Sequence, residues 1–430
     1  MKHSKLFFML LLILGFATNS FAVLPYSQRM AQAQMVRSRA QISWDYPNGL
    51  FVESVLKVYD MYGGAMYYDY ASNYAKATID AKTGKISSKY DFSKFTLDNL
   101  NPAMLILEIY KKEGLPQYKI ALDTLAKQLV QQPRNPEGGY WHKKVYPNQM
   151  WLDGLYMGAR YGAAYEKEYN KGAYYDDVVN QFLLIHAKTY NPEFQLNYHV
   201  WSADIDDPGS FWAKRDEPFK GSSHEFWSRG IGWYAASLVE VLEVLPNDYP
   251  KRKNVLDILS QVLAGIKRWQ DPKSGCWYQL TRYDSTLVVD GKANYLEASA
   301  SSMFAYALLK SVRLGFVPKE EYEAVGIKAY EGIIKNFVSE DSLGVVSLNR
   351  ICKSAGLGPA TDKTRDGSIR YYLTGSDAGA VISNDLKGVG PFILASLEYE
   401  RWQAANKVTN STDSKTAKNK EKSKTKKTSK

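Results

Sequence analysis

The sequence predicts an all-α fold, and two patterns carry that prediction. Between Gly49 and Trp402, apolar residues recur three and four positions apart, as they do in helices that bury one face. Strand-like alternation of apolar and polar residues is scarce in the same region. A turn, a short aromatic segment and a helix that starts with small residues also follow one another four times along the chain. We therefore expect an array of helical hairpins.

Ten segments show the helical periodicity clearly enough to be assigned. No single hairpin can bury its own apolar face, so the array is expected to stack or to close on itself. Closure would bring the starts of alternate helices together at one end of the ring. The ten predicted helices are Gly49–Tyr62, Asn101–Lys112, Gln117–Gln132, Met150–Tyr165, Tyr174–Tyr190, Gly230–Leu245, Val255–Trp269, Tyr295–Leu314, Lys319–Phe337 and Val389–Trp402.

The four repeated units place aromatic residues at equivalent points of the array. Their aromatic segments lead into the helix starts at Trp151–Gly154, Trp227–Trp233, Tyr295–Ser302 and Ser383–Pro391. Small residues at these starts allow inner helices to pack closely around an axis. We expect an aromatic-lined cup there, which suits sugar rings, although aromatic residues that only fill the core are the alternative for each single position.

The first 22 residues have the pattern of a secretory signal peptide. Lys2 and Lys5 precede an apolar run from Leu6 to Phe16, and small residues precede a cleavage point after Ala22. A membrane anchor needs about 20 apolar residues, and this run is shorter. The mature protein is therefore expected to be exported to the periplasm or the extracellular space, without a membrane span.

The formal net charge of +10 is concentrated outside the expected folded body. Residues 407–430 contain nine lysines and two acidic residues, and two further lysines lie in the signal segment. A nearly neutral body argues against a broad phosphate-binding surface, so we expect no nucleic-acid partner. The tail has almost no apolar residues and is expected to be a disordered extension after a single domain at 23–406. Its role is open between a solvating or cloning-derived segment and a tether to acidic polysaccharide.

Cysteine and histidine are too sparse to predict a metal centre. Cys276 and Cys352 are the only cysteines, and they lie in different regions of the chain. Two free thiols are favoured over a disulfide between them. The five histidines are scattered without metal-ligand spacing.

Two aspartates are candidates for proton transfer. Asp153 lies at an apolar helix start beside Trp151 and Leu152, where burial would raise its pKa toward that of a general acid. The alternative is a first-turn acid stabilised by the helix dipole. Asp98 precedes Pro102 and has the alternative role of a helix cap. From the residues alone, both interpretations stay open for both aspartates.

Four motifs in order resemble those of glycoside hydrolase family 105, which is related to the unsaturated glucuronyl hydrolases of family 88. The similarity extends from about Trp44 to Trp402. The motifs are Trp151–Met157, Tyr198–Trp201, Phe226–Tyr234 and Ser383–Phe392.

The resemblance implies a six-hairpin α/α barrel that uses no metal and no cofactor. Its substrates would be oligosaccharides made by polysaccharide lyases, which carry a C4=C5 double bond in the terminal uronate. Asp153 would protonate C4 and then help water to add at C5, so that one carboxyl group serves as acid and then as base. An unsaturated rhamnogalacturonyl hydrolase, acting as a monomer, is the expected function.

The resemblance also assigns roles to further residues. Asp98 matches the family's second acidic position, which would steer sugar hydroxyls or water. Arg229 would pair with the uronate, and Trp233 would stack on a ring. The remaining candidates for substrate binding are Tyr46, Trp141, His142, Lys143, Trp151, His199 and Trp227.

Two departures from the family pattern put the leaving-group sugar in doubt. Gly230 and Ile231 stand where relatives often carry Ser-Asn, and Ser202–Gly221 resembles an insert. Alternatives with other functions are a hydrolase of glucuronyl-linked or ulvan-type disaccharides, a non-catalytic carbohydrate-binding toroid and a polysaccharide lyase.

Overall fold

The structure is a computed structural model that describes residues 23–38, 42–170 and 172–425, with side chains up to residue 407. The predicted signal peptide, residues 1–22, lies outside the described residues. Among the described residues there are twelve long helices and one short one, α12. The helices are α1 (Tyr26–Arg37), α2 (Tyr46–Tyr62), α3 (Ala65–Thr78), α4 (Ala103–Glu113), α5 (Pro116–Gln131), α6 (152–170), α7 (Tyr175–Thr189), α8 (Ser228–Val244), α9 (Arg252–Arg268), α10 (Ala298–Arg313), α11 (Lys319–Phe337), α12 (Ile369–Thr374) and α13 (Leu386–Thr425).

The long helices form two concentric rings. The inner ring consists of α2, α4, α6, α8, α10 and α13, each packed against the next, and α13 packs against α2 to close the ring. The outer ring consists of α1, α3, α5, α7, α9 and α11. The structure therefore confirms the predicted six-hairpin α/α barrel, and all ten predicted helices are present.

Helices α1 and α3 were not predicted, because their buried faces are not conventionally apolar. In α3 the buried face includes Tyr67, Ser72, Tyr74 and Thr78, so tyrosine and small polar residues replace aliphatic ones. Helix α1 buries Ser27 and Gln34 beside Met30 and Ala31. Such faces give little periodic signal in a sequence.

Local sequence signals explain several helix ends. Asp45 caps α2 by accepting a hydrogen bond from the Asn48 amide at 2.9 Å. Gly114 ends α4 in a left-handed conformation with a φ of 67°. Pro116 then begins α5 at its first position, which makes the connection between the two helices tight.

Helix α6 contains two π-helical segments. Leu155–Ala159 and Glu166–Asn170 are π-helical, whereas Leu152–Gly154 and Arg160–Tyr165 are α-helical. Segments of this kind often lie at functional sites.

Short antiparallel strand pairs cover the end of the barrel where the inner helices begin. Gln149–Trp151 pairs with Val200–Ser202, which sets Trp151 opposite Val200. A second pair joins Ile351–Cys352 to Val381–Ile382. The three remaining pairs also have strands of only two or three residues. These strands tie the loops before inner helices together.

A buried ion network occupies the interior of the barrel further along the inner helices. Arg160 of α6 is 1% exposed and binds Glu53 of α2 and Glu240 of α8, each at 2.8 Å. The Tyr156 ring lies 4.0 Å from the guanidinium carbon, and the Tyr306 hydroxyl donates to Glu240 at 3.0 Å. The network joins four inner helices.

The backbone of the last helix continues through Thr425. The disordered extension expected at residues 407–430 stays a prediction. Cys276 and Cys352 are both buried and unpaired. In the part of the chain that the structure describes, no helix has the length and apolarity to cross a membrane.

Replacing Arg160 is expected to destabilise the barrel strongly. Arg160→Met leaves Glu53 and Glu240 buried without their counterion, so the free energy of unfolding should fall by about 3–5 kcal/mol. Urea unfolding at neutral pH measures this loss. The variant that also carries Glu53→Gln and Glu240→Gln removes the uncompensated charges and should recover part of the stability. Equal instability of the single and triple variants would contradict this explanation.

Candidate active site

The strand pair before α6 and α8 brings Asp153 and His199 together. The Leu152 amide donates to the His199 carbonyl at 3.1 Å, directly after the paired strands. The His199 Nε2 atom then lies 3.0 Å from the Asp153 Oδ2 atom. On its other side, the His199 Nδ1 atom lies 2.9 Å from the Tyr372 hydroxyl. The result is a buried chain of three groups that ends on a carboxylate.

The Asp153 pKa differs from the sequence-based expectation. Burial by itself raises the pKa of Asp153, as predicted, but the charge of His199 and the hydrogen bond from its ring lower it, and the net pKa lies below the usual value. His142 contributes in the same direction. The prediction of a raised pKa was wrong because it considered burial without the histidine partner. In the protein alone, Asp153 is therefore ionised at neutral pH.

Asp98 forms a second cluster with His142 and Lys143. The Leu97 amide donates to the His142 carbonyl at 3.0 Å, which fixes the 3₁₀ turn Leu97–Leu100 beside the His-Lys pair. The Lys143 ammonium lies 2.6 Å from Asp98 Oδ2, and His142 Nε2 lies 3.6 Å from Asp98 Oδ1. The Asp98 side chain is thus held by its neighbours in the site, and neither the Leu97–Leu100 turn nor α4 has a side-chain cap.

His142 is neutral at ordinary pH. Burial lowers the pKa of its imidazole to about 4, although Asp98 acts in the opposite direction. The ring stacks on Trp151, with centroids 4.7 Å apart and planes 15° from parallel. His142 also interacts electrostatically with Asp153 and therefore lies between the two acidic clusters.

A cavity of about 1230 Å³ opens beside the Asp98 cluster. Asp98, Lys143 and Tyr46 line it, and Asp153 and His199 do not. The Asp153 side chain, which is 13% exposed, lies deeper. Tyr46 lies near both aspartates. Burial raises the pKa of its hydroxyl group, and the charges of Asp98 and Asp153 raise it further. The rest of the lining comes from residues 34, 43–45, 47, 48, 89, 93, 94, 96, 99, 144, 145 and 382–387.

Arg229 is buried near the cavity and does not line it. Its Nη1 atom donates to the Cys352 carbonyl and to Ser299 Oγ, and the guanidinium packs against Trp227 at 4.8 Å. In the described part of the chain, Nε and Nη2 make no hydrogen bond. The charge of Arg229 reaches Tyr46 and Asp385, which both line the cavity.

The tryptophans predicted at the site, Trp151, Trp227 and Trp233, lie behind the cavity and do not form its walls. Trp151, Trp227 and Trp233 are each at most 5% exposed. The ring centroids of Trp227 and His199 lie 4.6 Å apart, and those of Trp233 and Tyr46 lie 6.3 Å apart in an edge-to-face arrangement. Trp141 does not line the cavity, and its Nε1 is buried without a hydrogen-bond partner within the described residues. Trp151, Trp227 and Trp233 therefore hold polar site residues in place.

The unusual segment Ser202–Gly221 lies apart from the cavity lining. Its Gly209 and Trp212 pack near Gly358, and its Pro208 carbonyl accepts a hydrogen bond from Lys363 at 3.0 Å. The segment and the 353–368 loop thus cover the side of the site behind Trp151. Gly230 has a related role, since a Cβ atom there would lie 3.0 Å from His199 Cδ2. The glycine leaves room for the histidine ring.

Two site residues were not identified from the sequence. Tyr372 lies on the short helix α12 and is fully buried against His199. Glu297 accepts hydrogen bonds from Ser299 and from the Ala300 and Cys352 amides, so it supports the groups that hold Arg229. The sequence carried a weak signal for Glu297, which precedes a run of small residues. It carried none for Tyr372, which is 173 positions from its partner.

A closed α/α barrel with a polar cavity at one end and a buried carboxylate near it is an architecture found among toroidal glycoside hydrolases. The chain belongs to glycosyl hydrolase family 88, whose sequence profile matches residues 26–403. A solved family 105 glycoside hydrolase from C. acetobutylicum ATCC 824 is 36% identical, with a TM-score of 0.81. That match covers 88% of this chain and 100% of the other. The resemblance inferred from the motifs is thus confirmed.

Two further relatives are similar over shorter regions. Protein Atu3128 of Agrobacterium fabrum (strain C58 / ATCC 33970) is 38% identical over 193 residues, which are 44% of this chain and 76% of the relative. The unsaturated rhamnogalacturonyl hydrolase YesR of Bacillus subtilis (strain 168) is 23% identical over 278 residues, which are 63% of this chain and 72% of the relative. Within the described residues, no group of three or more His, Cys, Asp or Glu side chains is arranged to hold a metal ion.

Removing the Tyr372 hydroxyl is expected to shift the pH profile. Burial raises the pKa of Tyr372 well above its usual value, so the hydroxyl keeps its proton and can donate to His199 Nδ1. The ring proton then stays on Nε2, which faces Asp153. Tyr372→Phe should reduce kcat about five- to tenfold and move the basic limb of the rate profile to higher pH, because the bond that lowers the Asp153 pKa weakens and the carboxyl group keeps its proton to higher pH. Tyr371→Phe, on the same helix, is the control. An unchanged basic limb in Tyr372→Phe would refute the role.

Acid is expected to destabilise the protein partly through His142. Because the folded pKa is lowered, the unfolded chain binds a proton between about pH 6.5 and pH 4 that the folded protein does not bind. Stability is therefore lost as the pH falls through this range, by roughly 3 kcal/mol from this group. Urea unfolding of the wild type and His142→Gln at pH 8 and pH 4 measures the difference. Identical acid sensitivity of the two proteins would show that His142 does not contribute.

Proposed function

We propose that the protein removes the 4,5-unsaturated uronate from the non-reducing end of lyase-generated oligosaccharides, as an unsaturated rhamnogalacturonyl hydrolase. The observation that carries the proposal is the Tyr372–His199–Asp153 chain, in which one carboxylate is oriented beneath the cavity. The membership in family 88 and the relative from Bacillus subtilis support the same reaction class.

The proposed reaction needs a single proton-transfer residue. Asp153 donates its proton to C4 of the vinyl ether, which leaves positive charge shared by C5 and the ring oxygen. Water then adds at C5 and returns a proton to Asp153. The resulting hemiketal opens, the glycosidic bond breaks, and a keto-uronate and the leaving sugar are released. Acid and base steps of this kind each contribute roughly 10²–10⁴-fold in rate.

The substrate itself supplies what Asp153 lacks as an acid. Its pKa is lowered in the protein alone, yet the first step requires the protonated form. A bound uronate brings a second negative charge and displaces water, and both effects raise the pKa of a nearby carboxyl group. Arg229, with two free donors, would hold the uronate carboxylate. Asp98 and Lys143 would orient hydroxyl groups at the cavity floor.

Replacing the proposed acid should abolish turnover while preserving binding. Asp153→Asn keeps the shape and the hydrogen bond with His199 but cannot deliver the proton, so the rate should fall by a factor of about 100 or more. The assay follows the loss of ultraviolet absorbance from the double bond of an unsaturated rhamnogalacturonan disaccharide. Calorimetry should give a dissociation constant within about threefold of the wild type, since the cavity is unchanged.

Asp204→Asn is the matched control, since Asp204 lies in the segment that does not line the cavity. It should retain wild-type activity. Absorbance that rises on an intact polysaccharide would indicate a lyase, and binding without any turnover by the wild type would indicate a non-catalytic toroid. Preferential hydrolysis of glucuronyl-linked or ulvan-type disaccharides would keep the chemistry and change the substrate.

Export is a separate proposal that rests on the sequence alone. Lys2, Lys5 and the apolar run before Ala22 support a signal peptide that is removed after Ala22. Release outside the cytoplasm would place the enzyme where polysaccharide fragments are taken up.

A further inference from the structure

Three lysines line the outer part of the cavity, and we call them the lysine rim: Lys89, Lys94 and Lys144. All three are exposed to solvent. The Lys144 amide donates to the Lys94 carbonyl at 3.2 Å, which ties together the two loops that carry the rim. Lys144 directly follows Lys143, the partner of Asp98. The rim therefore begins one residue away from the inner polar cluster.

The acidic residues of the cavity lining do not neutralise this rim. Asp45 caps α2, Asp98 is paired with Lys143, and Asp385 lies 2.8 Å from the Lys387 ammonium. Each of these three carboxylates therefore already has a partner. Asp98 and Asp385 bind Lys143 and Lys387, which are the other two lysines of the lining.

Among the described residues, one acid outside the lining, Asp91, faces the rim. Asp91 lies 3.9 Å from the Lys94 ammonium and also interacts electrostatically with Lys144. Its carboxylate already accepts hydrogen bonds from the amide and hydroxyl of Ser93. In the described part of the chain, no carboxylate lies within 4.0 Å of the Lys89 or Lys144 ammonium. Three positive charges therefore face one negative charge.

The position and size of the cavity indicate which part of a substrate meets the rim. Asp153 and Arg229 are buried, so the ring that reacts lies at the deep end. A volume of about 1230 Å³ exceeds the range of roughly 300–1,000 Å³ that holds typical small ligands, so space remains outside that ring. The segment Ser202–Gly221 does not line this space, and the rim does.

We propose that the lysine rim is a binding subsite for an anionic group, a sulfate ester or a carboxylate, on the leaving-group side of the substrate. The inference rests on the proposed function and extends it to the substrate class. Lysine ammonium groups are mobile point charges that bind either anion without the geometry that arginine requires. Long-range attraction by unpaired lysines also raises the local concentration of an anionic oligosaccharide.

The test compares leaving groups that differ only in charge. Unsaturated disaccharides with a neutral, a sulfated and a carboxylated leaving sugar are assayed with the wild type and with the triple variant Lys89→Gln, Lys94→Gln, Lys144→Gln. The variant should raise KM about tenfold for at least one anionic disaccharide and leave KM for the neutral one unchanged. The sulfated and carboxylated arms show which anion the rim prefers. Added salt should raise the wild-type KM for the anionic substrate and have little effect on the variant.

The control variant removes the same charge elsewhere. Lys253→Gln, Lys319→Gln, Lys335→Gln alters exposed lysines of the outer helices and should not change KM for any of the three disaccharides. If the Lys89, Lys94 and Lys144 triple variant changes KM equally for neutral and anionic substrates, or changes it for neither, the proposal that the lysine rim binds an anion is overturned. If the wild type hydrolyses none of them, the proposed function fails. The rim is then tested by calorimetry, where anionic disaccharides must still bind the wild type about tenfold more tightly than the triple variant does.

Discussion

The packing of the last inner helix, α13, against the first, α2, closes the ring, and the site depends on this closure. Residues 45 and 46 at the start of α2 and residues 382–387 at the start of α13 lie more than 330 positions apart in sequence, yet they line one cavity. Because every inner helix begins at the same end, the loops that precede them converge there. An open array of the same hairpins would separate Tyr46 from Asp385 and leave the cavity without one wall.

Within this frame, the polar groups act in linked pairs. Asp153 is held by His199, Asp98 by Lys143, and Arg229 by the Cys352 carbonyl and Ser299. Buried charges are costly unless they are paired, so the apolar rings around them serve mainly to fix geometry and to exclude water. The neutral state of His142 fits this arrangement, because a charged imidazole would compete with Lys143 for Asp98. On the proposed function, this pairing leaves Asp153 as the one carboxylate that changes its protonation state.

Much of the fold could be predicted from the sequence, and less of the site. Aliphatic periodicity marked ten helices, but the tyrosine-rich face of α3 carried no such signal. The motifs identified Asp153 and His199, whereas their mutual hydrogen bond depends on the β-ladder between Trp151 and Val200. That missing partner reversed the direction of the Asp153 pKa shift. Tryptophans looked like cavity walls because composition shows an aromatic residue but not which neighbour covers its ring. Tyr372 could not be found, since only the fold brings α12 to His199.

The ion network of Arg160, Glu53 and Glu240 has a consequence for the order of events in catalysis. The network fills the middle of the barrel. The Tyr156 ring packs on Arg160, Trp233 packs on Tyr156, and Tyr46 contacts Trp233 from the side of the cavity. Tyr156 and Trp233 are each 1% exposed. A sugar at the deep end therefore has no rear exit. On the proposed function, the cleaved keto-uronate is trapped until the outer fragment has diffused away, so product release is sequential. On the same function, each oligosaccharide is cut once, because the chain that remains no longer carries the double bond on which Asp153 acts.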